Sequence, residues 1–203
     1  MRRGGWFVGA VLAAVVLGAR PAEAQITGGY VSAMFGTTAG GKSDASSTTS
    51  GTVVGQARTY TNGRPWWVSG GYIVKQSGMG IDVEYASDGH VFKGSDFDGA
   101  KLSEFSVDFS YGRGTKRLRV YGLVGIILGG HISGLANSDG ASNMNFSPSF
   151  GGGVMTKAAK HLGITVDVRY LRNRGAFTGN VNSQLGIKNL RFWRIGAGVF
   201  IPL

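Results

Sequence analysis

Residues 105–111 read Phe-Ser-Val-Asp-Phe-Ser-Tyr, an unbroken alternation of apolar and polar side chains. In an extended strand successive side chains point to opposite faces. Phe105, Val107, Phe109 and Tyr111 therefore share one face, while Glu104, Ser106, Asp108 and Ser110 share the other. A helical period would scatter the same residues around the axis. Residues 79–85 (MGIDVEY) and 162–170 (LGITVDVRY) repeat the pattern, each with charges on the second face.

Carried along the chain, this reading predicts an all-β protein of eight strands, at about 26–36, 65–76, 79–87, 102–112, 116–130, 146–157, 161–172 and 189–203. The connections alternate. Gln76-Ser77-Gly78, Arg113-Gly114-Thr115 and Ala158-Ala159-Lys160 are tight turns, whereas 37–64, 88–101, 131–145 and 173–188 are long and rich in Gly, Ser, Asn and Thr. A chain weaving between two different environments, with brief turns on one side and extended loops on the other, has this layout.

The N-terminus sets the compartment. Arg2 and Arg3 precede the apolar run from Trp6 to Gly18, and Ala22-Glu23-Ala24 is a small-x-small cleavage site. Residues 1–24 are expected to be a cleaved secretory signal, leaving 25–203 as one domain. The apolar run is shorter than the roughly 20 residues a helical span needs. The chain has no cysteine, which excludes disulfides and thiolate metal sites, and its formal charge is +10. Glycine supplies 36 of 203 residues without a collagen-like period, far above an average of about 7%.

Two kinds of barrel fit such strands. A secreted lipocalin-like ligand carrier would turn its apolar faces inward, and a membrane barrel would turn them to lipid. Three features favour lipid. The apolar faces end in aromatic residues at interfacial depths: Trp66, Tyr85, Phe105, Tyr170 and Trp193 towards the loops, Tyr72 and Tyr111 towards the turns. The opposite faces carry small residues suited to a narrow interior, among them Gly80, Ser106, Gly125, Gly163 and Gly196. Several strands reach the roughly ten residues of a tilted membrane strand.

The final stretch, Trp193-Arg194-Ile195-Gly196-Ala197-Gly198-Val199-Phe200-Ile201-Pro202-Leu203, alternates to the last residue. It resembles the C-terminal strand of bacterial outer-membrane barrels, although it ends in Leu203 where that family usually ends in an aromatic residue. On strand pattern and loop layout, residues 25–203 resemble the small OmpA/OmpX-like outer-membrane β-barrel family. The resemblance implies an eight-stranded antiparallel up-and-down transmembrane barrel in the cell outer membrane, inserted by the barrel assembly machinery and surrounded by lipid and lipopolysaccharide. No segment follows the eighth strand, so a periplasmic cell-wall-binding half is not expected.

Alternation places Asp82, Glu84, Glu104, Asp108, Arg119, Asp167, Arg169 and Arg194 in the lumen. Unpaired charges there would be costly, so a salt-bridge and water network is expected to fill it. A packed polar core is favoured over a gated conduction path, because eight strands enclose too little space for an open pore. Arg172, Arg174, Lys188 and Arg191 flank the last long loop, with Arg58, Arg64, Lys93 and Lys101 around the others. Such a basic rim suits anionic lipopolysaccharide headgroups, and solvated loop charges explain it equally well. Nucleic acid is not a sensible partner for an exported chain.

Other constellations carry less chemistry. His131-Ile132-Ser133 resembles the His-x-Ser of outer-membrane lipid A deacylases, but alternation from Val120, Val124 and Ile126 turns His131 inward, and the nearest downstream acid, Asp139, sits in a glycine-rich loop. Asp96-Phe97-Asp98-Gly99 lacks the later glutamate of a calcium loop. His90, His131 and His161 lie in separate segments, so no zinc site is expected. Asn145-Phe146-Ser147 is a glycosylation sequon of no consequence in a bacterial-type envelope. Residues 36–43, GTTAGGKS, match a phosphate-binding loop letter for letter. The next eight residues, DASSTTSG, have no helical period, so no helix N-terminus awaits a phosphate. The match is read as chance within a surface loop, and no nucleotide, cofactor or metal is expected.

Overall fold

The computed structural model describes residues 26–44, 46–47, 53–55, 58–59, 63–75, 77–88, 101–133, 141–144, 146–179 and 184–203. The expected leader 1–24, His90, Lys93, Asp96–Gly99, Asp139 and Asn145 lie outside these residues. Eight long strands form the wall: β1 (Gly28–Asp44), β2 (Trp66–Ile73), β3 (Met79–Asp88), β4 (Lys101–Gly114), β5 (Leu118–Ser133), β6 (Ser147–Ala159), β7 (Leu162–Gly179) and β8 (Gln184–Pro202). Each pairs antiparallel with its chain neighbour, and β8 pairs with β1 from Tyr30↔Pro202 to Asp44↔Lys188, closing the barrel. Closure gives each long strand a partner on both sides, the condition lipid imposes on backbone N–H and C=O groups. Short strands at Arg58–Thr59 and Ala141–Asn143 extend the wall at the loop end.

Several boundaries differ from the sequence reading. β1 continues to Asp44, so the GTTAGGKS stretch is strand rather than loop: Lys42 pairs with Arg191 on β8 and with Thr59. The connection expected at 173–188 is mostly wall, with β7 reaching Gly179 and β8 starting at Gln184. Two tight turns lie about two residues later than expected, at 115–117 and 160–161. The reason is common to all of these. Beyond the apolar belt, backbone pairing persists without an apolar face to mark it, so alternation underestimates strand length.

The interior is layered. At the turn end an apolar cluster of Ile26, Tyr30, Ile73, Tyr121, Leu123, Met155 and Phe200 plugs the barrel. Charged residues occupy the middle. Towards the loops Met34, Trp67 and Ala86 form a second apolar cluster, and Leu102, Ile132, Leu190 and Phe192 are also buried. Inward glycines make this filling possible, Gly125 and Gly196 among them. A Cβ at Gly125 would overlap the Asp108 carboxylate, and one at Gly196 would overlap the Trp67 ring. Among the described residues no helix is long and apolar enough to cross a membrane.

Candidate functional site

All eight of the sequence-predicted lumen charges lie on inward positions and are buried: Asp82, Glu84, Glu104, Asp108, Arg119, Asp167, Arg169 and Arg194. Alternation along β3, β4, β5, β7 and β8 turns them inward, and register sets Asp82 opposite Asp108 and Arg169 opposite Arg194. Arg169 is the hub. Its Nε donates to Asp167 Oδ1 at 2.7 Å, and its Nη1 lies 2.5 Å from Asp108 Oδ2 and 3.1 Å from Glu84 Oε2. Glu84 Oε1 in turn accepts from Arg194 Nη2. The fork of donors on a guanidinium suits three carboxylates at once, where a lysine would offer a single point charge.

Neutral donors complete the network. Tyr121 Oη donates to Asp167 at 2.8 Å, Tyr30 Oη to Asp82, and the Ser106 and Ser149 hydroxyls to Asp108 at 3.2 and 3.3 Å. Arg194 lies over the Trp67 ring, its Cζ 4.4 Å from the centroid. Two residues stand apart from the Arg169 cluster. Arg119 donates to Gly78 O and Ser110 Oγ, both at 3.1 Å, and stacks on Tyr121 at 5.0 Å. Glu104 accepts from Asn173 Nδ2 at 3.1 Å, one level nearer the loops. The interior void beside Asp82, lined by Tyr30, Ser32, Ser69 and Arg169, measures about 20 Å³. That is room for about one water. The arrangement is a packed ionic plug.

The outer surface is the inverse. Phe105 is 43% exposed and Phe109 52%, against 7% for Asp82 and 0% for Asp108. Val31, Val68, Ile81, Val83, Val124, Ile126 and Ile164 are exposed in the same band. A soluble carrier of the lipocalin kind would bury these and expose the carboxylates; a continuous apolar surface of this extent needs an apolar surrounding. Of the expected aromatic rims, Trp66, Tyr85, Phe105 and Trp193 on the loop side and Tyr72 and Tyr111 on the turn side are exposed, and Tyr170 is half-buried. Tyr170 packs between Trp193 at 5.2 Å and Phe150 at 5.1 Å, and Trp66 lies 5.7 Å from Tyr85.

Sequence reasoning missed several partners. Tyr30, Trp67, Tyr121 and Asn173 support the plug, and Phe35 and Phe150 join the outer belt. Tyr121 was recoverable, since it shares a face with Arg119. Phe150 was obscured by Gly151, Gly152 and Gly153, which blur the alternation of β6.

One inward assignment is overturned. His131 points outward and is exposed, not inward. Phe105 pairs with Gly129 but Ser106 pairs with Ile127, so Leu128 is an extra residue. This β-bulge reverses the phase of β5 and places Ile132 inside. His131 Nδ1 lies 3.0 Å from Ser142 Oγ. Among the rim cations, Lys101 and Arg64 are exposed and Arg172 half-buried, while Arg191 is paired with Asp44 at 3.1 Å. The side chains of Arg58, Arg174 and Lys188 lie outside what the structure describes.

Comparison with known proteins gives the same picture. The family model described as "Outer membrane protein beta-barrel domain" matches residues 9–199. Among curated proteins, none matches the sequence. In fold the chain is similar to the crystal structure of Neisserial surface protein A (TM-score 0.57, 17% identity, 87% of this chain and 98% of that one). It is also similar to the outer membrane protein OprG from Pseudomonas aeruginosa (TM-score 0.59, 16% identity, 88% and 97%).

Proposed function

The chain belongs to the outer membrane protein β-barrel domain family, and on that premise we propose that it is a non-enzymatic envelope barrel whose lumen is held shut by the Arg169 network. Its role is envelope integrity and surface interaction, with permeation limited to whatever passes when that network rearranges. The observation that carries this reading is the ligation of Arg169 by Asp167, Asp108 and Glu84 at one level of the barrel. Residues 1–24 direct export and are removed, and the barrel assembly machinery recognises the alternating β8. Outer-leaflet lipopolysaccharide is the anionic neighbour of the exposed rim cations.

Planar-bilayer recording tests the sealed lumen. Wild-type protein conducts little, and Arg169→Ala raises conductance and channel-open time. A wide, steady wild-type conductance that Arg169→Ala leaves unchanged contradicts the plug. The hydrolase reading is tested separately. His131→Ala and Ser133→Ala leave lipid A acylation unchanged, whereas a loss of deacylated product in either variant overturns the non-enzymatic assignment.

A further inference from the structure

The bulge at Leu128 does more than turn His131 around. A groove of about 400 Å³ opens on the outer face beside it, lined by Tyr85, Phe105, Leu128, Gly129, His131 and Met144, among others. Register explains its origin. Tyr85, Phe105 and Gly129 stand in one outward row across β3, β4 and β5, so the line of rings stops at a residue without a side chain. On the far side, the ladder from β5 to β6 runs up to Ile127↔Ser147, and the ladder to the short strand Ala141–Asn143 resumes at Gly130↔Asn143. Between them Leu128 and Gly129 carry no ladder partner on that side among the described residues, which leaves a notch level with the loop-side aromatic rim.

Immediately loopward of the notch the chemistry changes. His131 stands opposite Ser103, and the exposed Lys101 stands opposite Ser133, one diagonal step away on the same outward face. Ser142 holds the imidazole at 3.0 Å. Glu104 lines the groove only from behind, because its side chain is buried and bound by Asn173 on the lumen side. An apolar slot in the hydrocarbon layer, capped by an ammonium and an imidazole at headgroup depth, matches an amphiphile with an acyl chain and a phosphate.

We propose that this groove binds one phosphorylated acyl lipid of the outer leaflet, its chain seated against Phe105 and Gly129 and its phosphate held by Lys101 and His131. The inference rests on the membrane-barrel reading above and names the site at which that barrel meets its lipid. Selectivity comes from the headgroup. An acyl chain leaving bulk lipid for the groove gains no hydrophobic driving force, since lipid tails are as apolar as the slot. The Lys101 ammonium therefore sets the preference, at about fivefold for its charge, and the His131 imidazole adds a hydrogen bond.

The test is native mass spectrometry of the full chain released from nanodiscs containing equal lipid A and phosphatidylcholine, with heat-modifiable migration recorded for every variant. Wild type retains one lipid A in preference to phosphatidylcholine. Lys101→Gln combined with His131→Gln lowers that preference about fivefold or more, and Gly129→Leu, which fills the slot and keeps the headgroup from reaching these two side chains, lowers it as far. Inorganic phosphate in excess does not displace the lipid. Equal retention of both lipids by the wild type, an unchanged preference in Gly129→Leu, or displacement by phosphate alone each overturns the site. Failure of the wild type to insert or to show heat-modifiability sinks the barrel reading instead, so the two failures are distinct.

Discussion

Replacing Arg169 by methionine removes the hub of the plug while keeping most of its volume. Three carboxylates lose a partner at 2.5, 2.7 and 3.1 Å, and all of them are nearly inaccessible to water. Breaking a buried ion pair by deleting one side typically costs about 3–5 kcal/mol, because a desolvated charge is left behind. Here each carboxylate keeps something. Asp167 retains Tyr121, Asp108 retains Ser106 and Ser149, and Glu84 retains Arg194. The lower end, about 3 kcal/mol, is therefore expected, which is about 150-fold in the folding equilibrium. Urea unfolding in lipid vesicles, followed by tryptophan fluorescence, reads the loss as a lower midpoint at constant slope. Adding Asp108→Asn to Arg169→Met should cost less than the sum of the two single losses, with a coupling of about 1 kcal/mol or more. A loss below about 0.5 kcal/mol, the behaviour of an exposed pair, refutes a desolvated plug.

Three further substitutions probe other parts of the wall. Gly196→Ala drives a Cβ into the Trp67 ring and the Phe35 carbonyl, and should destabilise by about 1–3 kcal/mol in the same unfolding assay. Val83→Arg places a charge on the lipid face at mid-strand; near the bilayer midplane this costs about 2–4 kcal/mol, and insertion yield in vesicles should fall with it. Lys42→Ala removes an exposed strand residue and should shift stability by no more than about 0.5 kcal/mol, with no calorimetric heat from Mg-ATP in either protein.

The parts of this fold that were legible in the sequence are those where the two faces meet chemically opposite surroundings. Phe105 to Tyr111 alternates because one side contacts lipid and the other a polar lumen, and the same logic placed Asp82, Asp108 and Arg169 on the inward face. Above the belt residues 37–44 and 173–179 carry no apolar–polar alternation in the sequence although they are paired strand. The orientation of His131 failed for a different reason. A bulge inserts one residue without any composition signal beyond the Gly129-Gly130 pair, and a count of two along β5 then lands on the wrong face. Which carboxylate meets which guanidinium was equally out of reach, because it depends on cross-strand register between β3, β4, β7 and β8 rather than on any one strand.

Because the chain has no cysteine, single cysteines can be introduced for nitroxide labels along β3 and β4 without a background. Collision with oxygen, which concentrates in hydrocarbon, and with a water-soluble nickel chelate then reports the surroundings of each face in intact vesicles. Labels at Val83, Val107 and Phe109 should relax strongly with oxygen and be shielded from nickel, while Ser106 and Ser110 are protected from oxygen. Nickel access at Val107 and Phe109, with oxygen contact confined to the serines, would mean that the oily side is in water and the ionic side is not enclosed.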